Sequence, residues 1–396
     1  MRLTRLKLEN FRGFESLELE FHPEVTVLVG VNGSGKTTIL DALAMELAGI
    51  TGSGGKGWYS RASVRDGAEE AVVGIWGSFG DSPVEIRHHF RDERTVKPMA
   101  GLMPAFQDEQ RRNGPLPILS YYPVSRHADD ETPGARDPKE WIAANAWTGS
   151  LYSNRTTFGD FFRWYRDRED LENESIRDNP DYQDKQLEVV RSALERLLPG
   201  YERPRVNRQP TPVLTVRKND HVLSFDQLSE GERTLAALGC DIARRLALAN
   251  PSGDPLNGCG IVLIDEIDLH LHPEWQRSII PALRRTFPAV QFVVTTHSPI
   301  VLGHIEAECV RVIDDFRVVE KLPKTWGRDP NSLLEDIFHQ PLRPEEVSRC
   351  IREIAERIDG EDLDGARAKL DELKGLVSED DGEVVRYEAM LELLGD

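Results

Sequence analysis

No window of this sequence approaches the roughly 18 consecutive apolar residues that a membrane-spanning helix needs, so no membrane partner is expected. The opening residues, MRLTRLKLENFRGF, carry charges where a secretory signal would place an apolar core, and a cytoplasmic location is expected. Cysteine is scarce. The four present (Cys240, Cys259, Cys309, Cys350) lie far apart with no CxxC spacing, which argues against a disulfide framework and a thiolate zinc site. Positive charge is also in deficit, with a formal net charge of −19. A protein that coats DNA non-specifically needs Lys and Arg to displace counterions, so nucleic-acid contact here requires a local basic patch or a partner. The imbalance is strongest at the end, where residues 341–396 hold 17 acidic against 8 basic side chains. No internal repeat and no low-complexity tract is present.

What remains is a globular composition, 39% hydrophobic and 30% charged, in 396 residues. That length accommodates two or three domain-sized units or one elaborated α/β core. In SLELEF (16–21), Leu17, Leu19 and Phe21 alternate with polar residues and share one face of a strand. VTVLVG (25–30) is a continuous apolar run, as in a strand covered on both faces. It leads into GVNGSGKTT (30–38) and then ILDALAMELAG, which has helical spacing. A Gly-rich connector (51–57) precedes a predicted hairpin turning at GDSP, and LPILSYY (116–122) reads as a further buried strand.

Between 137 and 200 the pattern turns helical: Phe158, Phe161, Phe162 and Tyr165 repeat at i, i+3, i+4 and i+7. This predicts a helical lobe inserted between core segments 1–136 and 201–340, with an acidic helical tail over 341–396. In the second segment, PVLTVRKNDHVLSF predicts a hairpin, LSEGERTLAALGCDIARRLALAN a helix, and IVLIDE and QFVVTTHS buried strands. Tail helices are predicted to begin near Pro344, Leu363 and Glu383.

GVNGSGKT satisfies G-x-x-x-x-G-K-[ST] at Gly30, Gly35, Lys36 and Thr37. Such a loop turns backbone N–H groups inward around a phosphate, and the following helix presents its positive end to the same anion. Gly30, Asn32, Gly33, Ser34, Gly35, Lys36, Thr37 and Thr38 are therefore the candidate nucleotide-binding loop. Lys36 is the point charge for the β- and γ-phosphates, and the Thr37 hydroxyl is a Mg²⁺ ligand. The nearby TGSGGKGW (51–58) lacks the upstream glycine and has Gly57 where Ser or Thr is required; it reads as a plain loop.

A triphosphate on Lys36 requires carboxylates from a second strand, and IVLIDE provides them. Asp265 is the candidate Mg²⁺ ligand, and Glu266 the candidate base that orients and deprotonates the attacking water. The competing reading, a transition-metal site using His270 and His272, is weaker. The segment is not H-E-x-x-H, the two histidines would face one way on a strand, and no upstream His/Cys cluster completes the set.

Ser229 and Glu232 in LSEGER form the S-x-x-E capping box of a helix start, and with Gly231 that start is also an anion site. Taken with GVNGSGKT, IVLIDE and THS in this order, the chain resembles the ABC-type ATPases, whose signature reads LSxGx. The fold class the resemblance implies is α/β: a P-loop NTPase core with an antiparallel β subdomain, the helical insertion and the helical tail. It further implies ATP and Mg²⁺ as cofactors and a homodimer or higher assembly in which Ser229 and Gly231 of one protomer, with Glu232 as a further nucleotide-site candidate, contact the γ-phosphate held by Lys36 of the other. His297 would be the switch histidine beside the γ-phosphate. LENFRGF before the loop is similar to the SMC, RecF and OLD group and makes Arg12 a nucleotide contact. His272 stands near the slot of a D-loop aspartate. YYPVSRH lacks a Q-loop glutamine, while Gln107 lies upstream.

Within that group, residues 1–340 resemble compact AAA-type ATPases of bacterial anti-phage defence, as in Septu-type and retron-associated systems. The resemblance implies an ATPase switch controlling a separate HNH-type nuclease chain, with the tail and lobe as docking candidates. The alternative is a RecF-like repair ATPase that binds DNA directly, using RDERTVK or FFRWYRDR as a basic, aromatic surface. A transporter ATPase fits less well, since the step from Ser229 to Asp265 is longer than transporters use.

Overall fold

The computed structural model describes residues 1–51, 60–80, 82–91, 115–124, 141–151, 158–251, 253–320 and 324–395. The Gly-rich connector beyond Thr51, most of RDERTVK, Gln107 and the end of YYPVSRH lie outside them. Met1–Asp329 form one unit and Pro330–Asp396 a second.

The first unit opens on the antiparallel strands β1 (Arg2–Phe11) and β2 (Phe14–Glu20). Then β3 (Val25–Val29), buried at every residue, gives way through the glycine loop to helix α1 (Lys36–Thr51). The hairpin β4 (Ala71–Phe79) and β5 (Ser82–Phe90) pairs with β1 to complete a four-stranded sheet ordered β2-β1-β4-β5. β6 (Ile118–Tyr122) is again buried throughout.

The inserted helices are α2 (Phe158–Asp178) and α3 (Lys185–Leu197). Asp184 caps α3 by accepting from the Gln186 and Leu187 amides, satisfying two of the N–H groups a helix start leaves orphaned. A three-stranded sheet follows: β7 (Tyr201–Asn207), β8 (Val213–Lys218) and β9 (His221–Ser224). Next comes the long helix α4 (Glu230–Ala249). Strand β10 (Gly260–Ile264), helix α5 (Pro273–Thr286), strand β11 (Val290–Thr296) and the short α6 (Pro299–Leu302) lead to β12 (Val310–Asp314) and β13 (Arg317–Val318).

The central sheet runs β13-β12-β3-β11-β10-β6, parallel except at β13. β3, β11, β10 and β6 are buried at every residue, as in a parallel sheet covered on both faces. Register sets the strand ends level: Val29 lies opposite Thr296, and Ile264 lies opposite both Val294 and Tyr122. Four chain segments therefore leave the sheet side by side at its carboxyl edge, where open α/β sheets hold their ligands. β7, β12 and β13 were not legible from sequence pattern, each being short or mixed in polarity.

The second unit comprises helices α7 (Pro330–Phe338), α8 (Glu345–Asp359), α9 (Leu363–Leu376) and α10 (Gly382–Gly395). It has its own core, in which Val347, Cys350, Ile354 and Ile358 from one helical stripe meet Ala366, Leu370, Leu373, Val384, Tyr387 and Leu391.

Candidate nucleotide site

The glycine loop has its shape for identifiable reasons. Gly35 has φ of +104°, and a Cβ there would lie 2.5 Å from Phe14 Cζ and 3.0 Å from Phe316 Cδ1. Those two rings pack edge to face with centroids 5.2 Å apart, forming a wall that only a glycine can pass. Gly30 meets the same limit, since a Cβ there would reach the Ile313 carbonyl oxygen at 2.0 Å. Asn32, Gly33 and Thr37 are exposed, Gly35 and Thr38 half-buried, and Ser34 buried with a hydroxyl that finds no protein partner.

Lys36 is 6% exposed, and its ammonium donates to the carbonyls of Gly30 at 3.0 Å and Val31 at 2.9 Å, spanning the loop it follows. Burial lowers its pKa, while the negative charges of Asp265 and Glu266 act in the opposite sense. The Thr37 hydroxyl donates to Asp265 Oδ2 at 2.9 Å, although 228 residues separate the two. Asp265 Oδ1 in turn accepts from the Thr295 hydroxyl at 2.6 Å. That hydroxyl accepts the Glu266 amide at 2.7 Å, at a residue whose φ of +47° lies in the left-handed region. A non-glycine residue held there is strained, and the strain turns Glu266 away from the strand direction.

His297 follows β11 directly and is half-buried. Its pKa is lowered first by burial and then by the Lys36 charge, against the pull of Glu266, Asp268 and Asp265. Lys36, Thr37, Asp265, Glu266 and His297 thus converge at the sheet edge. Arg12 does not stand free beside them: its guanidinium is 2.6 Å from Asp41 Oδ2 on α1, and the Tyr121 hydroxyl donates to the other Asp41 oxygen at 3.1 Å. Asp41, Thr295 and Tyr121 are members of this constellation that no motif announces.

Ser229, Gly231 and Glu232 belong to a different neighbourhood. Ser229 is exposed and caps α4, with its backbone N–H 3.0 Å from Glu232 Oε2 and its hydroxyl 2.8 Å from the same oxygen. Lys218 pairs with Glu232 at 2.9 Å. Burial alone would raise the Glu232 pKa, but Tyr201, Lys218 and Ser229 bring it down to about 2. Among the described residues, the side chains of Ser229 and Glu232 engage each other, Lys218 and Tyr201, not the glycine loop.

His270 and His272 lie beyond the end of β10, in a turn and not on a strand. His270 pairs with Glu230 at 3.2 Å, and the His272 ring accepts the Glu274 amide at 3.5 Å as the N-cap of α5. Among the described residues no three His, Cys, Asp or Glu side chains gather into a metal-binding group. No helix among them is long and apolar enough to cross a membrane.

A glycine loop between a buried strand and a helix, two carboxylates just past the end of β10 and a histidine just past the end of β11, the strand between them, define a P-loop ATPase of the ABC type. Residues 25–303 match the family model described as "AAA domain, putative AbiEii toxin, Type IV TA system", and the chain belongs to that family. Residues 1–47 also match the model "AAA ATPase domain". The chain is 31% identical to the Retron Ec83 probable ATPase of Escherichia coli, over 87% of this chain and 78% of that protein. It is 28% identical to the Retron Vc95 probable ATPase of Vibrio cholerae serotype O1 biovar El Tor, over 84% and 78%. Identity to the Septu protein PtuA of Bacillus thuringiensis is 23%, over 75% and 72%. Among solved structures, the SmcHead bound to the C-winged helix domain of ScpA matches with a TM-score of 0.50 at 16% identity, over 81% of this chain and 98% of that one, a likeness of fold. The protein is an ATPase related to the retron probable ATPases and to the Septu protein PtuA.

Proposed function

We propose that this protein is an ATP-driven switch of anti-phage defence, in which two protomers enclose ATP and the closed pair controls a separate nuclease chain of the HNH type. The observation that carries the reading is the division of the site. Lys36, Thr37, Asp265, Glu266 and His297 form one half, while exposed Ser229 at the start of α4 bonds, among the described residues, within its own neighbourhood. A helix N-terminus carrying an exposed hydroxyl is suited to an anion, and its side chain bonds Glu232 and not the glycine loop of its own chain. A second protomer's γ-phosphate would supply that anion.

In this reading the loop N–H groups and Lys36 hold the phosphates, and Arg12, tied to Asp41, lines the approach from β1. Thr37 and Asp265 would hold Mg²⁺; their two hard oxygens, already 2.9 Å apart, fit an ion that takes few protein ligands and keeps its water. The ion would offset the charge on the phosphate oxygens. Glu266 accepts the proton of the attacking water, and His297, kept neutral by burial and Lys36, donates toward the γ-phosphate. The similarity to retron and Septu ATPases supports the defence setting and the separate partner.

Analytical ultracentrifugation with and without ATP tests the reading. Wild-type protein should gain mass with ATP, and Ser229→Arg should bind nucleotide as well as wild type yet fail to associate. Wild-type mass and shape unchanged by ATP would reject the shared site.

A further inference from the structure

Tyr121 and Tyr122 end strand β6, level with Leu263 and Ile264 on the neighbouring strand β10. Consecutive strand residues point to opposite faces of a sheet, so the two hydroxyls part company. Tyr121 donates to Asp41 on α1, beside Arg12. Tyr122 donates to Asp241 Oδ2 at 2.8 Å, in the middle of α4. The carbonyl of the same Tyr122 accepts the backbone N–H of Asp265 at 2.9 Å. One residue therefore holds the carboxylate strand through its main chain and the signature helix through its side chain.

The far end of that link is anchored. Asp241, Arg244 and Arg245 are each 1% exposed. Arg244 donates twice to Asp241 Oδ1, at 3.0 and 2.6 Å, and Arg245 donates to Oδ2 at 2.7 Å. Arg245 also reaches the Ala146 carbonyl at 2.6 Å, tying the node to the segment that follows β6. Burial drives the Tyr122 pKa far up, with the Asp241 charge adding to it, so the hydroxyl stays a donor. In such a low-dielectric setting a donor left without its acceptor is costly, so α4 cannot rotate or slide against β6 while these bonds persist.

We infer that Tyr122 is a positioning residue that fixes the signature helix α4 to the strand end carrying Asp265 and Glu266. A change at one protomer's carboxylates then shifts the angle at which its own Ser229 and Gly231 meet the partner's nucleotide. This rests on the two-protomer reading above. Asp241 and the two arginines carry the link into α4. Tyr121 provides the corresponding tie to the phosphate-loop helix.

Tyr122→Phe keeps the ring and removes the donor. The expected result is a kcat and an ATP-driven association constant each lower by about tenfold or more, with KM and single-protomer ATP affinity unchanged. Placed on Ser229→Arg, the same substitution should cause no further loss of turnover, because both act through the signature helix. A lower Tm with unchanged kcat and association would make the hydroxyl structural only and overturn the inference. Additive losses in the double variant would overturn it too. If wild type fails to associate with ATP, the two-protomer reading falls and takes this inference with it. If wild type associates and Tyr122→Phe does so equally, this inference alone falls. Should Tyr122→Phe not fold, hydrogen exchange on the Ser229→Arg protomer decides. A non-hydrolysable ATP analogue should slow amide exchange along α4, and unchanged exchange there would overturn the assignment.

Discussion

The Thr295 hydroxyl donates to Asp265 at 2.6 Å while accepting the amide of Glu266 at 2.7 Å, so one side chain on the strand between loop and carboxylates governs both. Thr295→Val keeps the shape and loses both bonds. A buried polar group deprived of its partner costs about 1–3 kcal/mol, so Tm should drop. The Glu266 backbone, released from its tie, should also lower kcat with little change in ATP affinity. Thr295→Ser should restore both. Steady-state kinetics beside a melting curve checks this, and full activity in the valine variant would show that Glu266 is held by other means.

Glu266→Gln should retain ATP binding and slow hydrolysis, since removing a general base typically costs about 10²–10⁴-fold. Single-turnover rates with nucleotide bound in advance separate the two effects. Undiminished turnover would assign the base elsewhere.

His297 carries a pH signature. Its pKa lies below the ordinary value of 6.5, through burial first and the Lys36 charge second. An unfolded chain takes up this proton at higher pH than the folded one does. Stability from this group is therefore complete above about pH 6.5 and declines as pH falls toward the lowered value. An NMR titration of the His297 ring should show a midpoint below 6.5. Lys36→Met should move the midpoint upward by removing a like charge. No movement would separate the two side chains electrostatically.

Gly231→Ala tests the start of α4 as the proposed signature helix. A Cβ at 231 would sit 2.4 Å from the carbonyl oxygen of His270, a main-chain atom with little room to give. Overpacking of this kind typically costs about 1–3 kcal/mol. The variant should bind ATP as a single protomer, melt earlier and lose ATP-driven association. Unimpaired association would mean the start of α4 has more freedom than the contact implies.

Much of the architecture could be read locally. The order of strand, glycine loop and helix around Lys36 follows from residue types that few other arrangements tolerate, and the apolar runs at 25–29 and 260–264 declare strands covered on both faces. The Ser229 capping box is visible because its two partners are three residues apart. His270 and His272 misled as a strand pair, since the polypeptide leaves the sheet after Ile264 and spends them on a contact with Glu230 and a helix cap.

The amino-acid sequence alone determined the family and the ATPase chemistry and singled out the glycine loop at 30–38 as the candidate phosphate loop, because those depend on glycines, a lysine and carboxylates at short fixed spacings. Tertiary structure alone decided which strand lies between loop and carboxylates. It also decided that Thr295 reaches Asp265, and that Tyr122 joins Asp241 across 119 residues. The physical reason is that a hydrogen bond between distant segments depends on strand order and register, which the whole sheet sets together and no local spacing encodes.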